Sequence, residues 1–232
     1  MAHPILLLHG ALGDARQFAP VLERLGERSV LPVTFSGHGG TPLSEAFSID
    51  RFVRDTLDAM DENRIETADI LGYSMGGYVA LQLARDYPDR VGRIITIGTK
   101  FNWNPEEAAG EVRMMNPEVI EQKIPAFAAM LAARHAPEDW KTVMRLTAEM
   151  MTRLGDGEAM TDDDFAHVPH AVLVCRGSDD HMVHAAESVR TAAALPHGQF
   201  RELPGLKHPL ESIPPHTLVD LCREWFGVDA GA

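Results

Sequence analysis

The sequence predicts an α/β protein, a three-layer α/β/α sandwich on a mostly parallel sheet, interrupted by a helical insertion. Three observations predict it. Short apolar runs alternate with amphipathic helical patterns, which calls for parallel strands covered on both faces. One long stretch carries helical patterns only. The residues best suited to chemistry fall just past the apolar runs, at the carboxyl ends where open parallel sheets place their sites.

The elements follow in order. Residues 4–9 read as a buried strand ending at His9-Gly10. Residues 15–25 read as a short helix with Phe18, Val21, Leu22 and Leu25 on one face. A second strand over 29–35 runs into the loop Ser36-Gly37-His38-Gly39-Gly40. Ser48 suits a helix N-cap, because Ile49, Phe52, Val53, Thr56, Leu57 and Met60 then recur at helical spacing. A third strand over 67–72 meets Gly72-Tyr73-Ser74-Met75-Gly76-Gly77, and a helix follows that must end before Pro88. The fourth strand spans 91–99. From 100 to 168 no strand-like run occurs, and Pro105, Pro117 and Pro137 each open a helical pattern. Strand 170–176, helix 184–194, strand 198–203 and helix 215–226 resume the alternation. The expected division is therefore a core of 1–99 and 169–232 with 100–168 inserted.

Composition excludes several classes. The 232 residues suffice for one α/β domain or two small ones. A net charge of −13 leaves no basic stripe for phosphates, so no nucleic-acid partner is expected. No apolar run reaches the length of a bilayer span. No basic segment precedes a long apolar one near Met1, so a cytoplasmic location is expected. Cys175 and Cys222 sit in apolar runs and read as buried small hydrophobes. The histidines are scattered without ligand spacing, so neither a metal nor a cofactor is expected. The glycine loop at 37–40 lacks the Gly-Lys-Ser/Thr and dinucleotide patterns of phosphate sites.

Ser74, flanked by glycines at a strand-to-helix junction, has the setting of a nucleophile elbow. A serine hydroxyl is a weak nucleophile until a base takes its proton and the fold presents it sharply. His208 follows the strand ending near Leu203 and is the candidate base. Asp179 and Asp180 follow the strand ending near Gly177, and either can orient that histidine. The backbone N–H groups of Met75 and Ala11 are the candidate donors for an oxyanion. His9 is suited to supporting the loop that carries Ala11, and His38 and His181 to the mouth of a site.

These pieces, His9-Gly10, Ser36-Gly37-His38-Gly39, Gly72 to Gly77, Gly177 to Val183 and Gly205 to Glu211, stand in the order Ser, Asp, His. Together they resemble the α/β-hydrolase superfamily over nearly the whole chain. The resemblance implies the α/β-hydrolase fold with a helical cap inserted after the fourth strand. It also selects Asp180, three residues after Gly177 and three before Val183, over Asp179. Two departures bear on subgroup. The region before the Gly-His-Gly loop reads Thr34-Phe35-Ser36, where many members carry an aspartate. Tyr78 stands where the similar menaquinone-pathway synthases carry an arginine, which argues against that activity. A serine at 74 also excludes the aspartate nucleophile of haloalkane dehalogenases.

The expected reaction is cleavage of a small or medium, mainly apolar carboxylic ester through an acyl-enzyme on Ser74. The alternatives are a thioesterase, a lactonase or a carbon–carbon bond hydrolase with the same residues, and a ligand receptor that keeps the fold. The partner is a small molecule in each case. Phe101, Trp103, Met130 and Met144 are the substrate-contact candidates. Methionines in the insertion pack its core or give a soft lining for irregular apolar groups. The segment 100–165 holds seven Lys/Arg against thirteen Asp/Glu, which disfavours a highly anionic substrate. That balance still leaves room for one inward arginine, Arg113 or Arg145, to bind a carboxylate. The sequence leaves the oligomeric state open.

Overall fold

The computed structural model describes residues 3–26 and 29–227. Among these residues, six strands form one all-parallel sheet in the order β2-β1-β3-β4-β5-β6. They are β1 (Ile5–Leu8), β2 (Val30–Val33), β3 (Ala68–Tyr73), β4 (Val91–Ile97), β5 (Ala171–Gly177) and β6 (His197–Leu203). Strand alternation builds two cores. Leu6, Leu8, Ile70, Ile94, Val172 and Val174 face one side, while Ile5, Leu7, Leu71, Ile95, Leu173 and Cys175 face the other. Each fully buried Leu or Ile side chain contributes roughly 1.5–3 kcal/mol. The first face is covered by α2 (Ile49–Glu62), α3 (Met75–Asp86) and α9 (Ala185–Ala194), the second by α1 (Ala19–Leu25) and α10 (Pro215–Phe226). Cys175 and Cys222 are both buried in the second core.

The strand order reverses between β1 and β3, because β2 lies beyond β1 and β4 beyond β3. Leu8 is in register with Gly72, so the loop after β1 emerges beside the turn after β3. That reversal opens a crevice at the carboxyl ends of the two strands.

The helix predicted over 15–25 is divided. Ala15–Phe18 forms a tighter 3₁₀ turn, capped by Asp14, and α1 begins beyond it. Pro20 lies in the first turn of α1, where its missing N–H costs nothing. Between β4 and β5 the chain forms only helices: α4 (Pro105–Met114), α5 (Pro117–Lys123), α6 (Pro125–His135), α7 (Trp140–Arg153) and α8 (Asp162–Ala166). Asn104 and Asn116 cap α4 and α5 through their side chains, with Pro105 and Pro117 at the first helical position. Pro137 does not open a helix. Asp139 starts α7 by accepting the N–H groups of Lys141 and Thr142, and the proline that opens a further helix is Pro125. Leu131, Val143, Met144 and Met150 from these helices join the first core, so the cap and the sheet share one apolar interior. No helix among the described residues is long and apolar enough to cross a membrane.

Candidate active site

Ser74 stands at φ 50°, ψ −118°, outside the regions an ordinary residue prefers. Such a conformation costs on the order of 1–3 kcal/mol and must be held by its surroundings. Its N–H donates to Ile97 O at 2.8 Å, and its carbonyl accepts the Thr99 hydroxyl at 3.0 Å. The neighbouring glycines let the strand and helix pass closely enough to make this turn. A Cβ on Gly72 would collide with the Gly76 backbone, and one on Gly76 with the carbonyl of Leu8. The turn places Ser74 at the N-terminus of α3, the end of the helix that favours negative charge.

Asp180 lies in the turn after β5, buried and 3% exposed. Its Oδ2 is 2.8 Å from His208 Nδ1. Its Oδ1 accepts the N–H groups of Met182 at 2.8 Å and Val183 at 3.0 Å. Burial alone would raise this carboxyl's pKa. The hydrogen bond and charge of His208 and the two amides outweigh burial and hold it below the usual carboxylate value. Asp179 instead is exposed and meets the Ser178 hydroxyl at 3.0 Å. His208 is anchored from behind, because the Tyr73 hydroxyl donates to its carbonyl at 2.8 Å. Gly98, at φ 59°, backs the pair: a Cβ there would stand 3.2 Å from Asp180 Oδ2 and 3.4 Å from His208 Nδ1. Nothing in the local sequence marks Gly98 or the Tyr73 hydroxyl for these positions.

Ser74 and His208 open onto a single cavity of about 530 Å³. Ala11 and Met75, the candidate oxyanion donors, are on its wall. Of the substrate-contact candidates, Trp103 and Met130 line it. Phe101 and Met144 do not. Phe101 is buried against Tyr78 and Phe165, and Met144 is fully buried inside the helices above. Met115, Met150 and Met151 take up wall positions with Met130, giving a soft apolar roof. Arg113 and Arg145 are exposed and away from the cavity. The cations on the wall are Lys100 and Arg134. Lys100 pairs with Glu107 at 2.6 Å and Glu111 at 3.6 Å, and Arg134 with Glu211 at 3.0 Å. His38 is buried and His181 exposed, and neither lines the cavity.

The comparisons with known proteins agree with this architecture. The profile described as "Alpha/beta hydrolase family" matches residues 5–221. The chain belongs to the alpha/beta hydrolase family. Among its relatives, RutD of Caulobacter segnis, which carries the name of a carbamate hydrolase, is 28% identical over 92% of this chain and 87% of its own. The 2-hydroxymuconate semialdehyde hydrolase of Pseudomonas putida is 25% identical over 85% of this chain and 77% of its own. In structure, the enol-lactonase of Burkholderia xenovorans LB400 superposes with a TM-score of 0.77 at 21% identity, covering 98% of this chain and 92% of that one. NosK of Streptomyces actuosus does so at 0.80 and 21%, covering 98% of both. The two superpositions establish a shared fold, and membership in an alpha/beta hydrolase family supports hydrolase activity in general.

As in any alpha/beta hydrolase sheet, the loop ends must be held while the site stays open. Here buried histidines hold them. His9 Nε2 accepts the Phe35 N–H at 3.1 Å, so Nδ1 carries the proton and donates to Gly10 O at 2.7 Å. His135 Nδ1 accepts the Gly39 N–H at 3.1 Å, and its Nε2 donates to Leu12 O at 3.2 Å. The ring of His38 lies between them, with centroids 5.1 Å from His9 and 5.7 Å from His135. Burial pushes the imidazoles of His9 and His135 down to about 4 and that of His38 well below its ordinary value. These groups are neutral when folded and take up protons near pH 6.5 when unfolded, so unfolding binds protons below that pH. The stability they leave intact above pH 6.5 is lost as pH falls toward 4. For His9 alone the shift corresponds to on the order of 3 kcal/mol across that window. We expect urea midpoints to drop clearly between pH 7.5 and 5.0. Equal midpoints at the two pH values would contradict neutral burial of these rings.

Proposed function

We propose that the protein is a serine hydrolase that cleaves small or medium, mainly apolar carboxylic esters through an acyl-enzyme. The observation that carries this reading is the opening of Ser74 and His208 onto one apolar cavity, with Asp180 bonded to the far nitrogen of that histidine. In this mechanism Ser74 Oγ attacks the ester carbonyl as His208 Nε2 takes its proton. The oxyanion is met by the N–H groups of Ala11 and Met75. His208 returns the proton to the departing alcohol. Water, deprotonated by His208, then attacks the acyl group, and the acid leaves as Ser74 recovers its proton. Asp180 fixes the tautomer of His208 and stabilises the imidazolium. No cofactor enters these steps.

The wall supports this substrate class. A cavity of about 530 Å³ has room for a medium-sized ligand, and methionines adapt to irregular acyl groups. Both wall cations are engaged by carboxylates, so a substrate carboxylate would have to displace Glu107 or Glu211. That favours an uncharged ester over the anionic dienoates that carbon–carbon bond hydrolases cleave. We take 100–168 as the cap that selects the substrate and 1–99 with 169–232 as the core that carries the chemistry.

The test is an active-site fluorophosphonate followed by a substrate panel. A covalent adduct is expected on Ser74 and none on the Ser74→Ala variant. The panel sets p-nitrophenyl esters of graded acyl length beside lactones, thioesters and a dienoic diketone, with highest kcat/KM expected on the esters. Rates at background on every ester would overturn the substrate class. A folded protein that takes up no label, binds ligand and does not turn over would instead be a receptor.

A further inference from the structure

Leu12 follows the candidate oxyanion donor Ala11 and has φ 58°, the left-handed region that a branched side chain rarely occupies. Its conformation is held from the cap. The Leu12 carbonyl accepts two hydrogen bonds, from Arg134 Nη1 at 3.0 Å and from His135 Nε2 at 3.2 Å. Both donors are consecutive residues in the last turn of α6, more than a hundred positions away in sequence. Neither is loosely placed. His135 is fully buried, and the Gly39 N–H on its Nδ1 commits the ring proton to Nε2, the nitrogen facing Leu12. Arg134 extends its second Nη to Glu211 at 3.0 Å, three residues past His208, and Gln17 donates to the same Glu211 oxygen at 2.7 Å. The contact is returned from the core: Arg16 donates to the Arg134 carbonyl at 2.5 Å while its guanidinium pairs with Asp14 at 2.7 Å.

From this geometry we infer that Arg134 and His135 are positioning residues, through which the seated cap helix α6 fixes the oxyanion loop and aims the Ala11 N–H. The inference rests on the serine-hydrolase reading. A left-handed leucine relaxes unless something holds its peptide. If it relaxes, the path from Gly10 to Asp14 changes and the Ala11 N–H moves with it. A preorganised donor acts only where it points at the developing charge, so a misaimed one is felt in the transition state and barely in substrate binding. Because the holding groups belong to the cap, the oxyanion site is complete only when α6 is seated.

The experiment measures steady-state hydrolysis of a p-nitrophenyl ester by the whole protein and by Arg134→Ala, Arg134→Lys, His135→Ala and the Arg134/His135 double alanine variant. Loss of one oxyanion donor costs roughly 10²–10³ in kcat, which bounds the effect. We expect the single alanine variants to lose about 10-fold or more in kcat with KM within about twofold, and the double variant to approach that bound. Arg134→Lys should recover part of the loss, because it restores one donor to Leu12. Hydrogen exchange in the segment 9–17 should accelerate in the same order. Unchanged kcat in a variant that melts like the parent would overturn the inference. So would a raised KM at unchanged kcat, which would make Arg134 a substrate contact. Hydrogen exchange separates the two readings. If the parent neither labels on Ser74 nor turns over, the hydrolase reading fails, and faster exchange at 9–17 in the variants still establishes that α6 holds the loop. Unaltered exchange there would remove the coupling as well.

Discussion

Ser74→Ala and His208→Ala are each expected to lower kcat by roughly 10⁴–10⁶, and the double variant is expected to fall no further than the worse single change. The reason is mechanistic. In the proposed mechanism no acyl-enzyme forms without the serine, and without the histidine the serine keeps its proton, so each change removes the same step. What survives is binding and whatever the Ala11 and Met75 amides do for attack by water. Both variants should fold. Ser74 is held in its turn by backbone contacts to Ile97 and Thr99, which alanine retains. Loss of His208 leaves the buried Asp180 Oδ2 without that partner, at a cost of about 1–3 kcal/mol. The check is kcat for the parent, both singles and the double on one ester, with thermal melts alongside. Losses that multiply in the double variant would mean that the two residues serve separate steps.

The core was legible because its signals are local. Buried parallel strands are short apolar runs closed by glycine or a turn, and the residues after them reach the site by topology alone. Ser74, Asp180, His208 and Ala11 all lie within a few positions of such an end. The cap was legible only as helices. Periodicity finds an apolar face, but an apolar face there has two destinations, the interior of the cap and the roof of the cavity. Helix α7 sends Met144 to the first and Met150 and Met151 to the second. Phe101 looked placed for the entrance because it follows β4, yet its ring turns into the core against Tyr78 and Phe165. The same holds for the cations. Arg113 and Arg145 face solvent, whereas Arg134, at the end of a helix of otherwise ordinary pattern, finds its partners at Leu12 and Glu211. No spacing rule connects residues so far apart.

That same cap supplies much of the cavity wall. The wall carries charge, but in pairs that neutralise one another within the protein: Lys100 with Glu107 and Glu111, Arg134 with Glu211. An apolar cavity with its charges internally satisfied selects by shape and by the loss of water, not by a single ionic contact. Differences of one methylene in such a pocket are worth only about 1–3 kcal/mol. On the proposed ester reading, a graded preference over acyl length is therefore the form of specificity expected.

Asp180→Asn is expected to lower kcat by about 10⁴ near neutral pH, and Asp179→Asn to leave it within about twofold. The prediction comes from the hydrogen bonds on the two carboxylate oxygens. Oδ1 receives the N–H groups of Met182 and Val183, both donors. An asparagine must therefore keep its carbonyl oxygen on that side and turn its amide nitrogen toward His208 Nδ1. An amide N–H there makes Nδ1 an acceptor and moves the ring proton to Nε2. A histidine protonated at Nε2 cannot take the proton of Ser74, although every residue remains in place. The fold should survive, since the turn after β5 keeps its two amide bonds. The measurement is kcat for both variants, with the tautomer of His208 read from its ring nitrogens by NMR. Asp179 is exposed, its N–H donates to Leu206 O at 3.0 Å and its carboxylate accepts the Ser178 hydroxyl at 3.0 Å, so it has no such hold on the base. If Asp179→Asn proved the damaging change and Asp180→Asn the silent one, the carboxylate that orients His208 in solution would be the other member of the pair.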